Sequence, residues 1–493
     1  MLALLLPALA VAADEAAVAN AARNSLAQWI EFLRLPNVAS RSDAEIARNA
    51  QWAREAFAAH GFQAQLLAVD AAPMVFAQWP QASPQQRTVL FYAHLDGQAV
   101  LPQDWHQPDP FVPVLKAGSA DGGWNKLPLQ RLLESAAPDP EWRVFARSAA
   151  DDKAPIVMLL AALDALRAQG RAPAVNVKVI LDSREESGSP TLAQVVARYR
   201  VLLQADAVVM LDGPMHRSNR PTLVFGHRGG AGATLTVYGA RTELHSGHYG
   251  NYAPNPAFAL ARLLAGMKDE HGRVTIPGFY DGASPDHAAL AAVPDDEAEI
   301  RRRIGIATPE QVGASYQEAM NLPTLNITAM QAGAIDSHRS IIPDRASASL
   351  DLRTVPGTPP QRQLALLRQY VLDQGYHLVE GEPSEQERAR YPRLASLRGG
   401  GGGEALQTPL DAPVGRWAQA ALTAEFGQAP IRIPLMGGGV PSAPLAEGLG
   451  VPILLLPLVN ADNNQHAANE NLRIGNYFDG VRSLHALLTR PLP

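Results

Sequence analysis

At 493 residues, 47% of them hydrophobic, the chain is long enough for more than one domain and has ample core material. A formal net charge of −6 gives no sign of a basic face for nucleic acid. There is no cysteine, which excludes disulfides, thiolate metal sites and thiol nucleophiles, so any metal must be held by His, Asp and Glu, a donor set suited to zinc, manganese or cobalt.

Residues 1–13, Met1 to Ala13, are apolar, too short to span a bilayer, and end in small residues that fit an A-x-A cleavage site. They read as a signal peptide cut near Ala12 or Ala13, although no Lys or Arg precedes the apolar run. The expectation is an exported protein, periplasmic or secreted, with no membrane span in the mature chain. Residues 16–35 predict an amphipathic helix with Leu26, Trp29, Ile30 and Leu33 on one face. A second helix is expected over 43–60, closed by Gly61.

Four places then repeat one pattern. The apolar run Thr88 to Ala93 reads as a central strand that delivers His94-Leu95-Asp96-Gly97 at its carboxyl end. Asp151-Asp152-Lys153 precedes an apolar helix, Ile156 to Leu166, where acidic residues suit the helix dipole. The β-branched run Val175 to Leu181 reads as a buried strand, and Glu185-Glu186-Ser187-Gly188-Ser189 follows it in a turn. The strand Ala207 to Leu211 ends on Asp212. An isolated Glu-Glu pair reads as a solvated acidic turn, and an isolated His-x-Asp as structural. Their recurrence at element ends points instead to one site beyond the carboxyl edge of an open α/β sheet.

This ordered set, completed late in the chain by His466-Ala467-Ala468-Asn469-Glu470, resembles the dinuclear zinc metallopeptidase family of carnosinase-type dipeptidases, glutamate carboxypeptidases, aminoacylases and succinyl-diaminopimelate desuccinylase. The resemblance implies two zinc ions per chain, with manganese or cobalt as substitutes. Asp151 would bridge both, His94 and Asp212 would complete one position, and Glu186 and His466 the other. Asp96 would orient His94, and Glu185 would serve as general base. A hydroxide bridging the two ions would be the nucleophile, since each cation favours loss of a proton from water. The peptide bond Asp151–Asp152 is expected to be cis.

Between Asp212 and the C-terminal segment the texture changes to α+β. Strands are expected over Thr222 to Phe225, Ala233 to Tyr238, Leu325 to Met330 and Ala346 to Leu352, and helices over Pro256 to Met267 and Gln361 to Leu372. Pro277 to Pro323 reads as loop-rich and charged, and the run Gly399 to Gly403 as a flexible loop outside any regular element. By resemblance this insert is the lid, or dimerisation, domain, through which a homodimer would form. Glu243-Leu244-His245-Ser246-Gly247 makes His245 the expected oxyanion donor, acting on the partner's site. Asp351-Leu352-Arg353 makes Arg353 the clamp for a substrate carboxylate. Gly438 and Gly439, within Met436-Gly437-Gly438-Gly439-Val440-Pro441, would bind the same carboxylate through backbone N–H groups, although carnosinase-type members usually carry Ser at the position of Gly439. The chain then returns to the first domain through a helix over Val414 to Phe426, a strand over Ile453 to Leu458 and a closing helix over Tyr477 to Leu488.

The expected fold is therefore α/β. It has a catalytic domain with a central mixed, mostly parallel sheet between helices (14–215 and 410–493) and an inserted α+β lid (216–409). The expected activity is metal-dependent hydrolysis of amide bonds in dipeptides or at the C-terminus of short peptides. Removal of an N-acyl group from an amino acid is the alternative within the class. A metal-binding protein without turnover is the alternative outside it, and a base at Glu185 speaks against that.

Overall fold

The computed structural model describes residues 5–80, 83–334 and 339–493. The chain forms two compact units. One takes the chain up to Phe225, with Thr408–Ile433 and Val440–Pro493. The other is Gly226–Gln407 with Pro434–Gly439.

The first unit is built on an eight-stranded mixed sheet. Its order is Gln63–Leu67, Met74–Gln78, Asn176–Asp182, Thr88–His94, Ala207–Met210, Ile453–Leu455, Thr222–Val224, Ile431–Ile433. The middle four strands run parallel and are almost wholly buried, as strands covered on both faces must be. In register, His94 stands opposite Asp182, and Tyr92 opposite Met210. The carboxyl ends of three strands therefore reach one edge of the sheet together, which is where the residues after them gather.

Helices supply the cover. Leu5–Leu33 buries Val18, Ala22, Leu26, Trp29 and Leu33, spaced at three and four residues. The buried Lys153 closes its end: Nζ donates to Phe32 O at 2.9 Å and, just past the helix, to Leu35 O at 2.7 Å, and Pro36 discourages further helix. Asp43–Ala59 opens on Ser42, whose side chain accepts from the Glu45 N–H, and closes on Gly61 at φ +86°. Lys153–Ala168 is apolar around nearly its whole circumference and lies inside the unit. Trp29, Phe57, Phe91, Leu159 and Tyr477 share this core, and truncating an aromatic there to Ala would cost ~3–5 kcal/mol. Where the sequence predicts nothing, a separate four-stranded sheet forms from Asn471–Arg473, Arg143–Phe145, Val114–Ser119 and Gly123–Leu127.

The second unit is a five-stranded sheet in the order Thr324–Gln331, Arg345–Thr354, Gly229–Tyr238, Leu394–Gly400, His377–Leu378, antiparallel except at its last pairing. Helices Pro256–Ala265 and Pro360–Asp373 bury Leu260, Leu264, Leu367 and Val371 with Leu235, Leu350 and Leu352. Two expectations are corrected here. Gly399 and Gly400 do join a regular element: they continue a strand, opposite Ala233 and Gly232. The chain leaves the sheet only at Gly401 and Gly402, with φ of +72° and +88°. There a Cβ on Gly402 would lie 1.9 Å from the Gly230 carbonyl oxygen, an approach that glycine alone permits. Residues 277–323, expected to be loop, hold three short helices, His287–Ala291, Glu297–Ile304 and Tyr316–Met320.

Candidate metal centre

His94 is the last residue of its strand and is fully buried. Its Nε2 lies 2.8 Å from Asp151 Oδ1. Asp151 stands two residues before the buried helix Lys153–Ala168, and its peptide bond to Asp152 is cis. Asp212 follows the strand Ala207–Met210 and is 6% exposed. His466 sits in a loop with left-handed backbone at φ +63°, unusual for a side chain of its size. Its Nε2 is 3.1 Å from Glu186 Oε2 and 3.3 Å from Asp151 Oδ2. Two triads result. The ligand atoms of His94, Asp151 and Asp212 lie within 4.8 Å of one another, as do those of Asp151, Glu186 and His466. Asp151 belongs to both.

The charge balance of this cluster shows what it can hold. Four carboxylates, those of Asp151, Glu185, Glu186 and Asp212, meet two imidazoles. Burial, with repulsion from its acidic neighbours, pushes Glu185 up to about 9 and Asp212 up to about 7. Hydrogen bonds to Asp151 and Glu186 push His466 up to about 10. Burial disfavours a charged His94, but the Asp151 and Asp96 carboxylates outweigh it and hold the ring well above its usual range. Burial likewise opposes charge on Asp151, yet His466 and His94 keep it below the usual carboxylate range. A surplus of buried anionic oxygen around two nitrogen donors, with no thiol in the chain, fits a pair of divalent cations sharing Asp151.

Glu185 belongs to neither triad. It opens the turn after the strand Asn176–Asp182. Its backbone N–H donates to Asp96 Oδ1 at 2.9 Å, and that of Glu186 to Asp96 Oδ2 at 3.1 Å. Asp96 thus differs from the expectation in how it works. Its carboxylate is 3.5 Å from His94 Nδ1, whereas its backbone oxygen is 3.0 Å away and takes the ring's hydrogen bond. Asp96 orients the ring through its carbonyl and holds the Glu185–Glu186 turn with its carboxylate.

The other expected residues lie in the second unit. His245 is exposed and ends the short strand Leu244–His245. Its Nδ1 accepts from the Gly247 N–H at 3.0 Å, which puts the ring proton on Nε2. Arg353 is on the strand Arg345–Thr354, and its Nε donates to Asp351 Oδ2 at 3.1 Å. Gly438 and Gly439 follow Met436, which bridges to His227. A Cβ at position 439 would come within 3.4 Å of Arg228 O.

Sequence reasoning missed two supporting residues. Asp182 is fully buried, with Tyr92 and Ser189 hydroxyls and the Arg184 N–H all donating to it, so it braces the turn of Glu185 from below. Asp152 accepts from the His94 N–H at 3.2 Å. The one available signal was an acidic residue directly after the apolar run Val179–Ile180–Leu181.

Residues 225–378 match the profile of a peptidase dimerisation domain. The chain is 25% identical over 427 residues to a Cys-Gly metallodipeptidase of Candida albicans, covering 82% of this chain and 79% of that protein. It is 25% identical over 424 residues to the Beta-Ala-His dipeptidase of Mus musculus, covering 81% and 76%. Among solved structures it resembles an M20 family metallo-carboxypeptidase of Sulfolobus solfataricus, with a TM-score of 0.74, 24% identity, and coverage of 94% and 98%. That likeness concerns the fold.

The expectation of export is corrected. Similarity runs to a fungal Cys-Gly metallodipeptidase. The stretch expected to end at a cleavage site is part of one helix, Leu5–Leu33, which runs through Ala12 and Ala13 and packs into the core from Val18 onward. Among the described residues no helix is long and apolar enough to cross a membrane.

Proposed function

We propose that this chain is a metallopeptidase of the M20 type, a dipeptidase that uses two zinc ions and works as a homodimer. The observation that carries the reading is the pair of ligand triads sharing Asp151, with Glu185 beside them and in neither. His94, Asp151 and Asp212 would hold one ion, and Asp151, Glu186 and His466 the other. Bound there, the ions would polarise the scissile carbonyl and make a water acidic enough to attack it.

The remaining work falls to the chain's own side chains. Glu185 takes the proton from the attacking water on its carboxylate and returns it to the leaving amine. Asp96 fixes the base and a ligand in one geometry by gripping both backbone N–H groups. His245, with its proton on Nε2, donates to the developing oxyanion. Arg353, Gly438 and Gly439 bind the substrate's terminal carboxylate, which restricts cleavage to short substrates. The lid and dimerisation domain, expected over 216–409, corresponds to the unit Gly226–Gln407 with Pro434–Gly439, and the match over 225–378 supports that assignment.

The test is a panel of Cys-Gly, Beta-Ala-His, other dipeptides and N-acetyl amino acids, given to metal-stripped and zinc-loaded protein. Zinc-dependent cleavage of dipeptides supports the reading. Cleavage of N-acetyl amino acids alone would replace it with a deacylase.

A further inference from the structure

Glu470 takes no part in the ligand set, yet it is fully buried on the loop that carries His466. Its Oε1 accepts the backbone N–H groups of Ala150 and Asp151, both at 2.9 Å. Its Oε2 accepts the Ser148 N–H at 2.7 Å and the Arg147 Nη1–H at 2.8 Å. Its own carbonyl takes the Ala146 N–H at 3.2 Å. Arg147 completes the connection, since its Nη2 donates to Ala467 O at 3.2 Å, one residue past His466. The turn so gripped includes Ser148 at φ +59°, a conformation its neighbours must hold in place. Asp151, the ligand common to both triads, and Glu470 are 319 residues apart in the chain.

A buried carboxylate with one Arg is a poor device for stability, because desolvation consumes much of what the pair returns. An apolar residue of similar size would leave three backbone N–H groups unpaired, which explains an acceptor here but not the choice of this loop to supply it. Both oxygens of Glu470 are committed to donors on one turn, so neither is available to bind a metal or move a proton.

We propose that Glu470 is a positioning residue that locks the Asp151 turn to the His466 loop, so that one buried carboxylate sets the spacing of two ligands of the same metal position. The proposal rests on the reading of the site as a metal centre. Outer partners of this sort change metal affinity by ~10–100-fold when removed.

The test is Glu470→Gln, which keeps the volume and one acceptor oxygen but turns an NH2 group toward N–H donors. Stripped wild-type and variant proteins are titrated with Co2+ and Zn2+ against a competing chelator, and the cobalt absorption spectrum is recorded. The expected result is binding ~10–100-fold weaker at one of two positions, with an altered cobalt spectrum. Unchanged affinity and superimposable spectra would overturn the proposal, even if the metal-free variant melted earlier, since lower stability alone is what a merely structural role predicts. Should Glu470→Gln fail to fold, Arg147→Lys is measured in the same way, with a smaller shift expected and the same result overturning it. Dipeptide cleavage by wild type separates the two readings. Wild type that binds two ions and cleaves nothing defeats the hydrolase but not the lock. An active wild type beside a variant of unchanged affinity defeats the lock alone.

Discussion

Asp96 holds Glu185 by its backbone: the Asp96 Oδ1 accepts the Glu185 N–H at 2.9 Å, and Oδ2 takes the next N–H, that of Glu186, at 3.1 Å. One carboxylate therefore sets the position of both the proposed base and a proposed ligand. Asp96→Ala should lower both metal affinity and kcat, each by ~10–100-fold. Asp96→Asn, which keeps one acceptor oxygen, should fall between the two. Chelator competition and steady-state kinetics check this, and an Asp96→Ala enzyme with normal metal affinity would show that the turn holds itself.

Glu185 itself separates binding from chemistry. It belongs to neither triad, so Glu185→Gln should keep its metal while kcat falls by ~10²–10⁴, the usual worth of a general acid–base. Elemental analysis beside turnover decides it. A metal-replete variant of near-normal turnover would remove Glu185 from this role.

His245 is proposed to act on the partner's site. His245→Ala should lower kcat by ~10²–10³, the worth of one oxyanion donor, without loss of metal. Mixing it with Glu185→Gln under subunit exchange gives the direction. Action across the dimer leaves one site whole in each mixed dimer, so activity returns. Action within the chain leaves every site damaged, and the mixture stays inactive.

A stability prediction comes from far outside the site. His485 is buried on the helix Ile474–Leu488, and its Nε2 is 3.0 Å from Gln169 Oε1. Burial, aided by Arg171, pushes it down to about 4, against 6.5 in an unfolded chain. The folded-state value is the lower one, so the stabilisation is complete above pH 6.5. It is lost as the pH falls from 6.5 toward 4, where the unfolded chain takes up a proton that the folded chain refuses. The loss is about 2–3 kcal/mol. His485→Gln should therefore lose less Tm than wild type between pH 7 and pH 4.5. Parallel curves would show that His485 is not held neutral.

Much of the proposed centre could be read before the structure, because its parts stand at element ends with strong local signals. Val89 to Ala93 is an apolar run and Val175 to Leu181 is apolar apart from Asn176 and Lys178, the pattern a buried parallel strand requires, and each is followed at once by polar residues. What the sequence hid is how those residues are held. Asp182 takes one backbone N–H beside two hydroxyls, and Glu470 takes three backbone N–H groups beside a guanidinium, and no residue pattern announces such partners, in the case of Glu470 more than three hundred positions away. The strand Arg143–Phe145 pairs with Asn471–Arg473 on one side and Val114–Ser119 on the other, so its first partner was equally distant. Gly399 and Gly400 escaped for the opposite reason: five successive glycines read as a flexible loop, yet two lie in a strand whose neighbour, Gly232, also lacks a side chain.

The most direct test of the whole account is a zinc titration of the metal-stripped wild-type protein, followed by the rate of dipeptide hydrolysis. Two triads sharing Asp151 predict no turnover without metal and activity that saturates at two equivalents per chain, with Asp151→Ala inactive at any zinc concentration. Full turnover in the stripped protein, or saturation at a single equivalent, would contradict it.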